Sequence, residues 1–252
     1  MPPISAIIIT LNEAEHIGAC IDNVRQVCDE VIVVDSGSED DTVAIAEGRG
    51  ARVIHQPYLG DGPQKAHAVP LARHDWILSL DADERLDEEA VAAISTLQLG
   101  EGGVDGYALR RKSFVGNAWV RPWYPDWLVR LYDRRSAGYD CATIHAAVQA
   151  KQVKRLSGHI LHFSYRDWLE VAHRTHFYIE KGANHLEKKG RSSSLVTPVL
   201  HGTAAFLKTY LAKGGWRNGL TGLNVAVVSA YSAYMKYAVL RERQLKRKEN
   251  AR

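Results

Sequence analysis

The segment WILSLDADE at residues 76–84 is a mostly apolar run that ends in two alternate carboxylates, Asp81 and Asp83. The apolar part predicts a buried strand. Because unpaired carboxylates are costly to bury, Asp81 and Asp83 are expected at the rim of a sheet, where α/β proteins place their ligands. Two carboxylates there suit a divalent cation, Mg²⁺ or Mn²⁺, that also binds substrate phosphates. The alternative is that both only cap a helix starting near Asp87.

Apolar runs alternate with helical patterns in the first part of the chain. Strands are predicted at 4–10, 30–34, 51–55 and 75–80, and helices at about 13–28, 39–48, 64–71 and 87–99. Asn12 is the predicted N-cap of the first helix. This alternation predicts an α/β fold with a mostly parallel sheet, right-handed crossovers and flanking helices.

The pattern changes beyond the helix at 87–99. Short strands are predicted at 106–110, 128–132 and 159–163, and helices from Trp168 onward with breaks near 190–194 and 214–215. A loop rich in Trp and Pro occupies 119–127. We therefore expect one α/β domain at 1–165 and a helical C-terminal extension at 166–252.

The composition is that of a globular protein, with 46% hydrophobic and 24% charged residues in a chain of 252. The formal net charge is only +3, and the basic character lies in the tail, where seven Lys/Arg from Lys236 onward face two Glu. Cys20, Cys28 and Cys141 lack Cys-x-x-Cys spacing, which argues against a disulfide framework or zinc site and indicates a reducing compartment. The chain shows no signal-peptide pattern, so a cytoplasmic location is expected. No nucleic-acid partner is expected.

Two nucleotide-binding classes are disfavoured by the loops after the strands. The first strand is followed by Leu11-Asn12-Glu13 rather than Gly-x-Gly-x-x-Gly, and no Gly-Lys-Ser/Thr loop occurs. The dinucleotide-binding and P-loop classes both need such glycines to approach phosphates closely.

Four segments, taken in their order along the chain, resemble an inverting glycosyltransferase of family 2. They are IIITLNEAEHI at 7–17, VIVVDSGSEDDTVAIA at 31–46, GPQKAHAV at 62–69 and WILSLDADE at 76–84. Three others resemble the WaaE-type lipopolysaccharide-core enzymes: WYPDWLVRLY at 123–132, IHAAV at 144–148 and LHFSYRD at 161–167. The resemblance implies a GT-A nucleotide-diphospho-sugar transferase fold, with the catalytic domain at 1–165.

The resemblance also implies a nucleotide-sugar site. Asp35 would bind the base, typically uracil, because a carboxylate accepts from a pyrimidine N–H, and Thr10 and Asn12 would line the same pocket. Lys65 would lie near the ribose or phosphates as a point charge. The alternatives are an N-cap role for Asp35, which Ser38 can also fill, and a solvated position for Lys65.

Asp81 and Asp83 would hold the metal, with Asp81 also facing the nucleotide-sugar. His145 is the first candidate to complete the metal shell and His162 the second, although a lone histidine is more often structural. The metal would stabilise charge on the departing nucleotide as a Lewis acid. Arg130 is expected to bind a phosphate or to fix the loop before it.

The acceptor is expected to bind at the loop at 119–127, where aromatic rings would stack on its sugars. The alternative is that these rings only pack as a lid. This chain reads His145-Ala146 where the WaaE type usually reads His-Glu, so the role of that glutamate is not carried over. Asp126 is then the candidate catalytic base, with Asp140 and His145 in reserve. The alternative is that Asp126 only accepts from turn amides.

Glu84 follows the two metal carboxylates directly, and we expect it to point away from them or to cap the next helix.

The function expected is transfer of a sugar from a nucleotide-diphospho-sugar, UDP-linked in the leading case, to an acceptor hydroxyl with inversion. The acceptor would be lipid-linked or of the lipopolysaccharide type. Two alternatives are a sugar-phosphate nucleotidyltransferase, which would need a Gly-rich loop after the first strand, and a non-catalytic nucleotide-binding subunit tethered to a membrane.

A membrane contact is expected at the C-terminal end of the chain. Residues 218–235 carry no charge but are poor in apolar surface, so an interfacial helix followed by the basic tail is favoured over a membrane span. The contact would be peripheral, on the anionic inner face of the cytoplasmic membrane. The alternative is a helix packed on the domain with a solvated tail.

Overall fold

The computed structural model describes residues 2–140 and 146–250. The described residues form two compact units, each discontinuous in sequence. The first unit lies within 1–112 and 125–162, and the second within 113–124 and 163–252. The division into a catalytic domain at 1–165 and an extension at 166–252 stays a prediction.

The first unit begins with the alternation that the sequence predicted. Its elements are β1 (Ile4–Thr10), α1 (Ile17–Val24), β2 (Glu30–Asp35), α2 (Thr42–Gly48), β3 (Arg52–His55), α3 (Asp61–Ala68), β4 (Trp76–Asp81), β5 (Glu84–Leu86) and α4 (Glu88–Ser95). The later strands are β6 (Gly106–Val115), β7 (Ala118–Trp119), β8 (Asp126–Asp133), β9 (Gly138–Tyr139), β10 (Val148–Gln149) and β11 (Val153–Tyr165). β7 and the ends of β6 and β11 belong to the second unit.

The main sheet has the strand order β3-β2-β1-β4-β8-β6-β11-β5, with β7 paired to β6. The pairs β2–β3, β1–β2 and β1–β4 are parallel, whereas β4–β8, β6–β8 and β5–β11 are antiparallel. The predicted parallel sheet is confirmed from β1 to β4, and the whole sheet is mixed. No crossover helix connects β6 to β8, so these strands pair antiparallel. β4 lies inside the sheet, between β1 and β8.

Apolar side chains cover both faces of this sheet. Along β1, Ile4 and Ile8 belong to one buried cluster, with α1 and α4, whereas Ile7 belongs to a second, with Ala68 of α3. Successive side chains of a strand point to opposite faces, which explains why this strand reads as a continuous apolar run. The sheet is therefore held rigidly, and its strand ends are fixed points for a site.

The first helix differs from its prediction. α1 covers Ile17–Val24 rather than 13–28, and its N-cap residue is His16, without a side-chain cap. Asn12 instead has φ = 54° and is not the N-cap. Its backbone N–H donates to Ser38 Oγ and its Oδ1 accepts from the Glu39 N–H, both over 2.8 Å. Asn12 thus ties the loop after β1 to the loop after β2.

The second unit contains α5 (Trp168–Lys188), α6 (Thr197–Leu207) and α7 (Gly219–Asn250). A π-helical turn at Lys208–Ala212 and a 3₁₀ turn at Gly215–Asn218 join α6 to α7. The predicted breaks after α5 and near 214–215 are confirmed. Within the described residues, no helix has the length and apolar character needed to cross a membrane.

The segment 113–124 packs with these helices. Val115 and Val120 form a buried cluster with Val171 of α5 and Val225 of α7. The Arg121 N–H donates to Asn218 Oδ1 over 2.8 Å. This segment is therefore part of the second unit, although the sequence places it between two strands of the first.

Candidate active site

The carboxyl ends of β1, β2 and β4 bring three predicted residues to one edge of the sheet. Thr10 is the register partner of Asp35, and Ile9, next to Thr10, is the partner of Asp81. Ligands of open α/β sheets bind outside this edge. Thr10, Asp35 and Asp81 thus lie on three adjacent strands at the edge where a site is expected.

Asp35 is almost fully buried and is held by the turn that follows it. Its Oδ2 accepts from the Gly37 and Ser38 N–H groups, each at 2.9 Å, and its Oδ1 accepts from Ser38 Oγ. Burial alone would raise the pKa of Asp35, but these hydrogen bonds hold the pKa below its ordinary value. Asp35 therefore remains a carboxylate.

Thr10 is 5% exposed, and its Oγ1 has no hydrogen-bond partner within 2–140 and 146–250. A buried hydroxyl without a partner costs free energy. The Thr10 hydroxyl, which lies on the strand beside Asp35, can therefore donate to or accept from a ligand at this edge. Asn12 lies in the adjoining loop, as described above.

Lys65 is buried on α3 and is not a solvated lysine. Its Nζ lies 2.9 Å from Asp61 Oδ1 and 2.8 Å from Asp81 Oδ1. Burial alone would lower the pKa of Lys65, but the facing Asp81 carboxylate raises the pKa above its ordinary value. Lys65 thus contributes a fixed positive charge beside β4.

Asp81 lies between two cations. Its Oδ1 faces Lys65, and its Oδ2 accepts from Arg130 Nη2 over 3.2 Å. Burial alone would raise the pKa of Asp81, but Lys65 and Arg130 hold the pKa far below its ordinary range. The side chain is still 26% exposed, so a ligand can reach it.

Arg130 owes its position to a β-bulge. Tyr107 of β6 pairs with Leu131 of β8, and the next residue, Ala108, pairs with Val129. Arg130 is the extra residue between them, and a bulge of this kind redirects a side chain. Burial alone would lower the pKa of Arg130, but Glu84 and Asp81 raise the pKa well above its usual value. Arg130 is therefore a permanently charged group held against β4.

Glu84 is a site residue that the sequence did not reveal. It is 0% exposed, and its Oε1 accepts from Arg130 Nη2 at 2.7 Å and from Arg111 Nη1 at 3.2 Å. Its Oε2 accepts from the Asp81 N–H at 3.1 Å. The expectation that Glu84 points away or caps the next helix is wrong. Asp87 caps α4 instead, accepting from the Ala90 N–H at 2.9 Å.

Asp126, the candidate base, is the first residue of β8 and is paired with Arg111. Arg111 Nε and Nη2 both donate to Asp126 Oδ2, at 3.1 and 2.8 Å. The Asp126 side chain is 39% exposed. The carboxylate is therefore accessible and held in one orientation by an arginine, rather than by turn amides alone. Asp140 is placed elsewhere, on the β9–β10 hairpin, where it accepts from the Ala147 N–H.

Together these side chains form one continuous series of alternating charges, which we call the charge network. Its members in order are Asp61, Lys65, Asp81, Arg130, Glu84, Arg111 and Asp126. Each buried charge has an opposite neighbour, as burial requires. The network connects Lys65, the predicted phosphate-binding lysine near one end, to Asp126, the candidate base at the other end.

Asp83 and His162 form a carboxylate–imidazole pair separate from the charge network. Asp83 Oδ2 lies 3.2 Å from His162 Nε2, and both side chains are 18% exposed. His162 comes from β11, which pairs antiparallel with β5 and aligns His162 with Glu84. His145, the first candidate from the sequence, lies outside the described residues.

The Asp83–His162 pair fits a divalent cation. Two adjacent ligands of an octahedral ion, each at about 2.1 Å, lie about 3 Å apart. The observed separation of 3.2 Å between Oδ2 and Nε2 is close to that edge. Asp81 is less suited as a direct ligand, because both of its oxygens face cations.

A different group also brings three metal-type ligands together. Single ligand atoms of Asp87, Glu89 and His159 lie within 4.8 Å of one another. Asp87 is already engaged, because its Oδ1 caps α4 and accepts from the His159 N–H, and its Oδ2 is 2.9 Å from His159 Nδ1. The group is explained as a helix cap with a histidine partner.

The aromatic loop is divided between the two units. Trp119 and Tyr124, with ring centroids 5.6 Å apart, belong to the second unit. Trp127 belongs to the first, where Arg110 and Arg155 lie 5.4 and 4.7 Å from its ring centroid. Cation–π contacts of this kind fix the ring of Trp127, which is the residue next to Asp126 in the chain.

Comparison with known proteins shows the family of this chain. The family model for glycosyl transferase family 2 matches residues 5–207. An uncharacterised glycosyltransferase of Rickettsia felis is 33% identical over 98% of this chain and 93% of its own length. The lipopolysaccharide core biosynthesis glycosyltransferase LpsC of Rhizobium meliloti is 27% identical over 96% of this chain and 93% of its own.

A mixed sheet with flanking helices and a charged carboxyl edge is the architecture of a GT-A glycosyltransferase. The chain belongs to glycosyltransferase family 2. The resemblance and the fold class predicted from the sequence are therefore confirmed. A crystal structure of glucosyl-3-phosphoglycerate synthase from Mycobacterium tuberculosis, with Mn²⁺, UDP and glucosyl-3-phosphoglycerate, is 29% identical over 46% of this chain and 45% of that one, with a TM-score of 0.35.

Proposed function

We propose that this glycosyltransferase moves a sugar from a UDP-linked or related nucleotide-diphospho-sugar to an acceptor hydroxyl, with inversion at the anomeric carbon. The observation that carries the proposal is the meeting of two buried cations, Lys65 and Arg130, on Asp81 at the carboxyl edge of the sheet. Lys65 carries three N–H donors, of which Asp61 and Asp81 engage two, so one N–H remains for a phosphate oxygen of the sugar donor in this proposal. The orphan hydroxyl of Thr10 and the ionised Asp35 support a nucleoside pocket beside them.

Each residue has a role in this proposal. Asp35 accepts from the base, with Thr10 and Asn12 along the same pocket wall. Lys65 binds the ribose or a phosphate, and Asp81 orients the donor while held by its two cations. Binding the donor in one orientation places its anomeric carbon for attack from the face opposite the nucleotide.

Asp83 and His162 are the proposed metal ligands. A carboxylate with an imidazole suits Mn²⁺ better than Mg²⁺, which prefers oxygen ligands alone. When bound, the ion would supply Lewis-acid stabilisation of the leaving diphosphate. His145 remains a proposed further ligand from the sequence.

Asp126 is the proposed catalytic base. Its carboxylate takes the proton of the acceptor hydroxyl as that oxygen bonds to the anomeric carbon. The bond from the anomeric carbon to the diphosphate breaks at the same time, and the nucleoside diphosphate leaves with the electron pair. Arg111 positions the carboxylate through Oδ2, which leaves the proton to Oδ1 in this proposal.

The proposed acceptor is a lipid-linked or lipopolysaccharide-type glycan. The relative LpsC, named as a lipopolysaccharide core enzyme, supports this acceptor class. The proposal includes peripheral contact of the C-terminal helices with the anionic inner face of the cytoplasmic membrane.

The proposal is tested by measuring donor binding and sugar release separately. Calorimetric titration with UDP-, GDP-, ADP- and CMP-sugars in Mn²⁺ identifies the donor, and NMR of the anomeric proton reports inversion. We expect Asp83→Asn to lose Mn²⁺ binding, seen by electron paramagnetic resonance, together with turnover. Asp22→Asn is the control, because Asp22 is an exposed residue of α1. No binding to any donor by the wild-type chain would overturn the proposal.

The base is tested with Asp126→Asn. We expect unchanged donor affinity and turnover reduced by roughly 10²-fold or more. Near-normal turnover would exclude Asp126 and leave the donor site intact as a proposal.

A further inference from the structure

The second unit exposes an unusual amount of apolar surface at the turn between α6 and α7. We define the hairpin tip as residues 207–223. Its large apolar side chains are Leu207 (47% exposed), Leu211 (56%), Trp216 (52%), Leu220 (72%) and Leu223 (38%). A patch of neighbouring exposed apolar residues on a soluble surface marks an interaction site rather than chance.

The backbone of the tip is closely packed. The 3₁₀ turn lies directly against α7, because a Cβ added at Gly222 would overlap the carbonyl oxygen of Gly215. Asn218 Oδ1 accepts from the Arg121 N–H within the same unit. Exposed apolar groups on a rigid scaffold are preorganised for binding, because little conformational entropy is lost on contact.

The charge around the tip is entirely positive. The sequence from 188 to 241 contains eight Lys/Arg and no Asp or Glu. Lys208, Lys213 and Arg217 lie in the tip, and none of them forms an ion pair with a carboxylate within the described chain. Arg217 lies 4.6 Å from the ring centroid of Trp216. Tryptophan beside cations is the residue pattern of a membrane interface.

The basic tail presents its charge differently. Arg243 and Arg247 both pair with Glu187, and Lys246 pairs with Glu242. These pairs reduce the positive potential that the tail offers to another surface. Lys208, Lys213 and Arg217 of the tip have no such carboxylate partner in the described chain, and they lie beside exposed leucines and Trp216.

We infer that the hairpin tip is the membrane-docking surface of this protein, inserting Trp216, Leu211 and Leu220 among the headgroups of an anionic bilayer. A second copy of the chain is disfavoured as the occupant, because two tips of the same positive charge repel one another. The tip lies in the interface without crossing the bilayer, as expected where no described helix is long and apolar enough to span it. The inference rests on the membrane contact of the proposed function and is independent of the transfer reaction.

The test is sedimentation of the full chain with vesicles of phosphatidylcholine, alone or with an equal part of phosphatidylglycerol, at low salt. We expect binding to the anionic vesicles and little to the neutral ones. Leu211→Glu and Leu220→Glu should each weaken partitioning roughly ten-fold or more, because a leucine that inserts into the bilayer interface is replaced by a charge. Both positions are exposed, so the fold is expected to persist, which circular dichroism checks.

Two controls match these variants. Leu169→Glu changes a residue of α5 that is 67% exposed, and Leu245→Glu changes one of the tail that is 47% exposed. Both should bind as the wild type does. Brominated lipids should quench wild-type fluorescence, and Trp216→Phe should lose that quenching.

Each remaining outcome overturns the inference. Equal loss in the Leu245→Glu variant would place the contact on the tail. Failure of the wild type to bind anionic vesicles would exclude the membrane contact, while donor binding, measured separately, would still stand. A dimer that the Leu220→Glu variant dissociates would make a second copy the occupant.

Discussion

Glu84 shows how one side chain decides the electrostatics of this site. It accepts hydrogen bonds from Arg111 and Arg130, the two arginines that contact Asp126 and Asp81. A fully buried carboxylate is tolerated only because two guanidinium groups and one backbone N–H compensate it. Glu84 thus positions both Arg130, which contacts Asp81, and Arg111, which contacts the proposed base Asp126.

We predict that Glu84→Gln destabilises the protein by about 1.5–3 kcal/mol, because Arg130 and Arg111 each lose a charged hydrogen-bond acceptor and keep only Asp81 and Asp126 as ionic partners. Urea unfolding followed by circular dichroism measures the change. Glu88→Gln, at an exposed position on α4, should stay within about 0.5 kcal/mol of the wild type. A Glu84→Gln protein as stable as its Glu88→Gln counterpart would contradict the role given to the network.

Among the elements, β8 and α4 set the position of the site through local irregularities. The bulge in β8 turns Arg130 toward Asp81 and Glu84, which a regular strand would not do. Asp87 is the N-cap of α4, and its carboxylate also holds His159 of β11. The cap therefore joins α4 to the strand that carries His162.

Asp87 provides a pH-dependent contribution to stability. Burial alone would raise the pKa of Asp87, but hydrogen bonds from His159 and Ala90 hold the pKa below its ordinary value. A carboxyl whose pKa is lowered by folding stabilises the protein above its unfolded pKa of about 4, and this stabilisation is lost as the pH falls through the folded value.

We predict that Asp87→Ala costs about 1–2 kcal/mol at neutral pH through loss of the helix cap. The difference from the wild type should shrink below about pH 4, where the wild-type carboxyl becomes protonated. Asp87→Asn is the matched control, because asparagine still caps a helix but does not ionise. Thermal unfolding across pH 3–7 measures all three, and a difference independent of pH would refute the assignment.

At the scale of the whole molecule, the two units are interleaved along the chain. Residues 113–124 lie between two strands of the first unit but pack in the second. Val120 is fully buried and Val115 nearly so, against Val171 and Val225 of the C-terminal helices. The C-terminal helices therefore share a buried cluster with a segment that precedes residue 165.

We predict that a chain ending at residue 165 is poorly soluble and binds the dye ANS, because Val115 and Val120 lose their apolar partners. A chain ending at residue 240 is the control, since it keeps Val171 and Val225. Soluble yield and size-exclusion chromatography compare the two. A monomeric chain of residues 1–165 with wild-type thermal stability would show that the segment 113–124 needs no partner.

The sequence alone was enough to predict the parallel half of the sheet. Periodic apolar runs specify β1 to β4, and carboxylates that end such a run are expected at the rim, so Asp81 and Asp83 were predicted from local pattern, whereas Asp35 came from the family resemblance. The family was also predicted, since its segments are continuous in sequence. These features depend on neighbours along the chain.

The tertiary structure alone decided which charges meet. Glu84 and Arg130 are 46 residues apart, and Arg111 and Glu84 are 27 apart, so no local pattern links them. A signal existed in Arg111 and Arg130, two arginines in predicted or adjoining strand segments that need a buried acidic partner, but the sequence does not say which one. The partner is set by strand order and by one bulge, because only the folded sheet brings β4, β6 and β8 side by side.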